Sequence, residues 1–217
     1  MTGADIYHVF SKSIAGYTIF RYDSEFLRMM ESIQYYRAKN PPIKYSLFKE
    51  YERKHWKHSG YLSNLNHCSH EPMLVRIIAY CLMPTHLHFV LEPLVENGIS
   101  RFMGRLLNSY TRYFNIRHER KGPLWEGKYK KVLVETEEQL LHLTRYVHLN
   151  PVTAYLVNKP EEWSYSSYNE YTTENAVKIC DFGEWMDMGI RSYVDFVNDR
   201  INGQREFALI KDLTLEG

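Results

Sequence analysis

Three cysteines, Cys68, Cys81 and Cys180, are all the chain has in 217 residues, and they stand far apart with no Cys-x-x-Cys pair. A disulfide framework is thereby excluded, and the three read as reduced thiols. Long hydrophobic runs are missing too. The best, Met73 to Met83, is interrupted by Arg76 and falls short of the ~20 apolar residues that a membrane-spanning helix needs. Met1 to Phe10 lacks a basic stretch followed by an apolar one, so no secretory signal is expected, a cytoplasmic location follows, and no membrane partner is indicated. Internal repeats and low-complexity segments are also absent. Net charge is only +1, so overall charge selects no class of partner. What remains, 44% hydrophobic and 24% charged residues, describes an ordinary globular chain with one good core.

Charge is distributed unevenly. Arg101 to Lys131 holds nine Lys/Arg against two acids, whereas Tyr171 to the end holds nine acids against five Lys/Arg. A basic middle section of this kind suits a nucleic-acid phosphate backbone, and the shift near residue 170 suggests a core of 1–170 followed by a small acidic extension, 171–217. Residues 41–72 are polar, basic and rich in histidine, and read as an insertion. Within them His55, His58, His67 and His70 with Cys68 match no tight zinc template.

Hydrophobic patterning places the elements. Ile6 to Phe10 predicts a short strand and Ser24 to Ala38 a helix ended by Asn40-Pro41-Pro42. Arg76 to Met83 and His86 to Leu91 predict two strands joined at Pro84-Thr85. Apolar residues from Ile99 to Phe114 recur every three or four positions, which predicts a long helix with Arg101, Arg105, Asn108 and Arg112 on another side. Lys131 to Glu135 is expected as an edge strand. Thr136, with Glu137 and Glu138, opens a helix expected to stop at Asn150 because Pro151 follows.

Chemistry concentrates on two of these elements. Side chains alternate along a strand, so His86 and His88 share a face while Leu87, Phe89 and Leu91 take the other. Two imidazoles so placed suit one divalent metal ion, and a mixed nitrogen and oxygen site accepts Mn²⁺ or Mg²⁺. On the late helix His142, Tyr146 and Asn150 form a polar stripe spaced by four. Asn150 offers an amide oxygen to the metal, and Tyr146, one turn earlier, reaches the same phosphate. Phenols are poor nucleophiles at neutral pH, and a metal that neutralises the phosphate assists them. Arg101, Arg105, Arg112, Lys128, Lys130 and Lys131 are candidates for phosphate contacts, with Trp125 and Tyr129 as stacking surfaces for unpaired bases.

Four blocks carry a resemblance. YCLMPTHLHFVL at Tyr80 to Leu91, NSYTRYFN at Asn108 to Asn115, GPLWEGKYK at Gly122 to Lys130 and RYVHLNPV at Arg145 to Val152 resemble, in order, the signatures of single-tyrosine transposases of the HUH endonuclease superfamily. The likeness is strongest to the REP-associated branch and spans about Tyr7 to Tyr168. It implies an α+β, ferredoxin-like core with a central antiparallel sheet, packed helices and a small C-terminal extension. It implies Tyr146 as nucleophile, His86, His88 and Asn150 as metal ligands, and Mg²⁺ or Mn²⁺ as cofactor. It further implies a single-stranded DNA substrate with hairpin or repeat ends, cut through a 5′-phosphotyrosine intermediate by a monomer or homodimer. The start, YHVFSKSIAG, departs from the family's Arg-Gly-Asn-rich run, and the 41–72 segment is longer than in compact members. The alternative reading is a non-catalytic DNA- or RNA-binding regulatory protein on the same fold.

Overall fold

A computed structural model describes residues 5–55, 72–173, 179–182 and 188–201. Its strands are β1 (Ile6–Lys12), β2 (Val75–Met83), β3 (His86–Pro93) and β4 (Lys130–Val134). Its α-helices are α1 (Asp23–Tyr36), α2 (Tyr45–His55), α3 (Gly98–Arg117), α4 (Glu137–Thr153), α5 (Tyr168–Thr172) and α6 (Ile190–Asn198). The strands form one antiparallel sheet in the order β2-β3-β1-β4. With α1 between β1 and β2, and α3 between β3 and β4, this is the expected ferredoxin-like α+β arrangement. The insertion adds α2 after α1.

Two apolar layers sandwich the sheet. Leu87, Phe89 and Leu91 of β3 pack with Val9 against Phe26, Met29 and Ile33 of α1 and Phe102, Leu106 and Tyr110 of α3. On the opposite face Ile6, Val90 and Val134 meet Leu140 and Val147 of α4. A bulge between Ile77 and Ala79 breaks the alternation of β2, and Ile78 and Ala79 both join this second layer. So α4 lies across the face that carries the histidines, while α3 lies on the other. The tip of the β2-β3 hairpin is tethered by backbone bonds from Ser13 N to Thr85 O (2.8 Å) and from Ile19 N to Pro84 O (2.8 Å), which fixes where β3 begins.

Helix α4 starts as its sequence dictates: Thr136 Oγ1 accepts from Gln139 N at 3.0 Å, with Glu137 and Glu138 in the first turn. It does not stop at Asn150. Pro151 removes one donor, but Ala154 N still bonds Asn150 O and Leu156 N bonds Pro151 O, both at 3.0 Å, so the helix runs to Thr153.

The compositional boundary at 170 is not a break in the core. Tyr171, Tyr193 and Val197 are buried with the residues of α1 and α3. The outer edge of β2 is covered by Leu82 N to Tyr165 O, Ser167 N to Tyr80 O and Asp181 N to Ile77 O, each at 2.9 Å. Among the described residues the tail's acids Asp181, Asp195 and Asp199 are exposed, whereas its aromatic residues Tyr171 and Tyr193 supply packing. In the insertion, α2 docks Tyr45 against Tyr35 and Tyr36, with Arg28 over the Tyr45 ring at 4.1 Å. His58, His67, Cys68 and His70 lie outside the described residues.

Two features of this frame yield predictions. A Cβ on Gly98, just after the left-handed Asn97 (φ 56°), would stand 2.1 Å from the Leu74 carbonyl oxygen. Because the obstacle is backbone, Gly98→Ala is expected to lower unfolding free energy by about 1–3 kcal/mol, read by chemical denaturation.

His148 of α4 is fully buried between Tyr193 Oη (2.6 Å) and Ser167 Oγ (2.7 Å), with Tyr168 and Tyr171 at its ring. Burial lowers its pKa from 6.5 to about 3. The unfolded chain therefore binds this proton at a higher pH than the folded chain does. Its contribution to stability is present above pH 6.5 and is lost as pH falls toward 3, with His8, lowered to about 4, acting in the same direction. Unfolding free energy measured from pH 7 to 4 should show a slope that His148→Asn reduces by up to one proton, about 1.4 kcal/mol per pH unit.

Candidate active site

Three elements converge on one face of the sheet. The β1-β3 register sets Phe10 opposite His88 and Lys12 opposite His86, so alternation puts His8, Phe10 and Lys12 beside both histidines. Ring centroids of His86 and His88 lie 5.0 Å apart at 88°. Tyr146, presented by α4, stands edge-on to His88 at 5.7 Å and to His8 at 6.2 Å, and its side chain is 42% exposed. The phenol therefore sits over the imidazoles within reach of solvent, and the interior of that helix face belongs to Leu140, Thr144 and Val147.

Each imidazole has a polar neighbour. His88 Nδ1 meets His8 Nε2 at 3.0 Å, and His86 Nδ1 meets Thr85 Oγ1 at 3.0 Å. Burial lowers the His8 pKa to about 4. Burial also lowers that of His86, partly offset by a hydrogen bond from His86 to the Asn150 side chain. His88 falls well below the usual histidine value through burial first, then through the charges of His86, His8 and Lys12. Neutral imidazoles with available lone pairs are the form that binds metal.

Asn150 completes the polar set one turn after Tyr146. Its Nδ2 is buried and has no hydrogen-bond partner. The amide oxygen is the end that faces His86. Among the described residues no group of three or more His, Cys, Asp or Glu is arranged around one point. Two imidazoles and one amide oxygen, with positions left for phosphate and water, fit an open site for Mn²⁺ or Mg²⁺.

The expected DNA contacts divide between two surfaces. Lys130 pairs with Phe10 in register and shares the histidine face, where Phe10, Ser11, Lys12, Glu126, Lys128 and Lys130 line a cavity of about 260 Å³. Lys131 points away, its ammonium 4.6 Å from the Tyr7 ring centroid, and Tyr129 packs partly against the core. The row on α3 lies on the far face. Arg101 donates to Lys39 O, and Arg105 to Ala38 O and Lys39 O, closing the end of α1, so the open row of guanidiniums reduces to Arg112. Trp125 is corrected outright: it is 7% exposed and its Nε1 donates to Thr111 Oγ1 and Leu107 O, so its ring is core packing and no platform for a base.

His8 and Lys12 were missed in the sequence. The signal was there, because Ile6, His8, Phe10 and Lys12 alternate along β1, but only the strand pairing shows that this face meets His86 and His88.

A profile of the IS200-like transposases matches residues 42–150, a range that contains His86, His88, Tyr146 and Asn150. A Haemophilus influenzae protein named as a REP-associated tyrosine transposase is 26% identical over 113 residues, which is 47% of this chain. The match covers 62% of that protein, less than two thirds of its length. A solved structure of a REP-associated tyrosine transposase bound to a REP hairpin aligns with a TM-score of 0.49 and 13% identity, over 87% of this chain and 90% of that one.

Proposed function

The chain belongs to the IS200-like transposase family, and on that premise we propose that it cuts and rejoins single-stranded DNA through Tyr146, with His86, His88 and Asn150 holding a divalent ion at the scissile phosphate. One observation carries this reading: a solvent-accessible phenol stands over two neutral, perpendicular imidazoles, with ring centroids 5.7 Å apart for Tyr146 and His88.

The Tyr146 oxygen attacks phosphorus and forms an ester with the phosphate that stays on the 5′ oxygen of the downstream strand. The bond to the 3′ oxygen breaks, that oxygen takes up a proton, and the phenolic proton leaves to solvent at the exposed ring edge. The adduct is itself a phosphodiester, so a 3′-hydroxyl can reverse the step and join strands without a nucleotide cofactor. A bound Mg²⁺ or Mn²⁺ would supply neutralisation of the phosphate charge. Lys12, Lys128 and Lys130 hold the strand beside the site, and Arg112 contacts a part of the DNA lying across the other face. Hairpin or repeat ends are the substrate that the four resembling blocks suggest.

The test incubates purified protein with Mn²⁺ and hairpin-bearing single-stranded DNA, or RNA of the same sequence, and looks for a denaturant-resistant adduct. The proposal expects an adduct with DNA. Tight binding without any adduct would favour a regulatory binder, and preference for RNA would point to an RNA-binding module. In the same system Lys128→Ala and Lys130→Ala are each expected to reduce the slope of log affinity against log salt by about 0.7, measured by fluorescence anisotropy.

A further inference from the structure

We infer that His8, which lies outside the residues matched by the family profile, is a positioning residue that accepts a hydrogen bond from His88 Nδ1–H and so keeps the His88 Nε2 lone pair free for the metal. This rests on the metal reading given above.

Imidazole chemistry constrains the pair. A neutral ring carries one N–H, and the nitrogen that carries it cannot ligate. His8 Nε2 and His88 Nδ1 are 3.0 Å apart, so one proton lies between them. If His8 held it, His88 would need its own proton on Nε2 and could offer no lone pair there. If His88 holds it, Nε2 is free. The partner of His86 works differently, since the Thr85 hydroxyl at 3.0 Å can turn to accept or donate and imposes no tautomer. His8 in its Nδ1–H tautomer, with the Nε2 lone pair facing His88, is thus the form of this partner that leaves His88 Nε2 unprotonated.

Orientation is fixed at the same contact. The His8 and His88 rings are nearly parallel, 15° apart with centroids at 5.2 Å, and Phe10 flanks both, at 5.0 Å from His8 and 6.0 Å from His88. Tyr146 closes over His8 and His88 edge-on. The backbone supports this, because β1 is hydrogen-bonded to β3 on one side and to β4 on the other, an interior strand rather than an edge. A group that holds a ligating histidine by its second nitrogen typically changes metal affinity 10- to 100-fold when removed.

Two substitutions separate the acceptor from the ring. His8→Phe keeps an aromatic ring against His88 and Phe10 but cannot accept a hydrogen bond, and His8→Gln keeps an acceptor oxygen but loses the ring. Mn²⁺ affinity of the full chain without DNA, read from loss of the free-ion EPR signal, is expected to fall about 10- to 100-fold in His8→Phe and to stay within about threefold of the parent in His8→Gln. Metal-free melting curves for both variants confirm that a folded protein is being titrated. Parent-like affinity in His8→Phe, or equal losses in the two variants, would overturn the role of His8 while leaving the metal reading standing. If the parent protein itself leaves the Mn²⁺ signal unchanged, the metal reading falls and the inference falls with it.

Discussion

Tyr146→Phe is expected to abolish covalent attachment to DNA and to lower strand cleavage by about 10³-fold or more, while moving the melting temperature by no more than about 2 °C. The two parts of this expectation have separate causes. Chemistry is lost because the substituted atom is the one that bonds phosphorus, and His142, one turn earlier on the same stripe, is exposed and not directed at the same contacts. Stability is kept because the ring is 42% exposed, the substitution preserves its edge contacts with His8 and His88, and the deleted hydroxyl is not buried in the core. Retained cleavage without an adduct would instead identify water as the nucleophile.

Removing both imidazoles, His86→Ala with His88→Ala, is expected to lower adduct formation about 10²- to 10³-fold at saturating Mn²⁺, which corresponds to a few kcal/mol of charge stabilisation at the phosphate. Affinity for single-stranded DNA should change less than about threefold, since Lys12, Lys128 and Lys130 line a neighbouring cavity and remain in place. The cost to folding falls mainly on His88, which is 5% exposed and whose loss leaves His8 without its partner. A single His86→Ala variant therefore gives the cleaner kinetic comparison. Unchanged cleavage in the double variant would refute the ligand assignment.

The strands and the long helix were legible because burial imposes period two on one and period 3.6 on the other. In β3 the alternation separates Leu87 and Phe89 from His86 and His88, and nothing in the local sequence competes with it. The stop of α4 was misjudged because Pro151 restricts its predecessor only statistically, and here the tertiary packing of Leu149 and Val152 outweighs one missing donor. Trp125 was misjudged for a different reason. Its neighbours Lys121 and Lys128 are exposed and charged, but the ring turns inward to the α3 backbone, and sequence alone does not report which way a loop side chain faces.

The site shows the same division. His86, His88, Tyr146 and Asn150 were singled out as candidates from spacing within single elements, and in the fold Tyr146 lies beside His88 and Asn150 beside His86. His8 and Lys12 depend on which strand lies beside β3, a long-range pairing between residues about 80 positions apart. Arg101 and Arg105 were read as free because a helix face is visible in sequence, whereas the carbonyls at the end of α1 that they serve are more than 60 residues away.

The most direct measurement isolates the protein-DNA adduct, digests the DNA and the chain, and maps the nucleotide-bearing peptide by mass spectrometry. A 5′-phosphate ester on Tyr146, formed with Mn²⁺ and lost with His86→Ala and His88→Ala, is the predicted result. A modification on another of the chain's 18 tyrosines, or robust cleavage with no modified tyrosine at all, would contradict it.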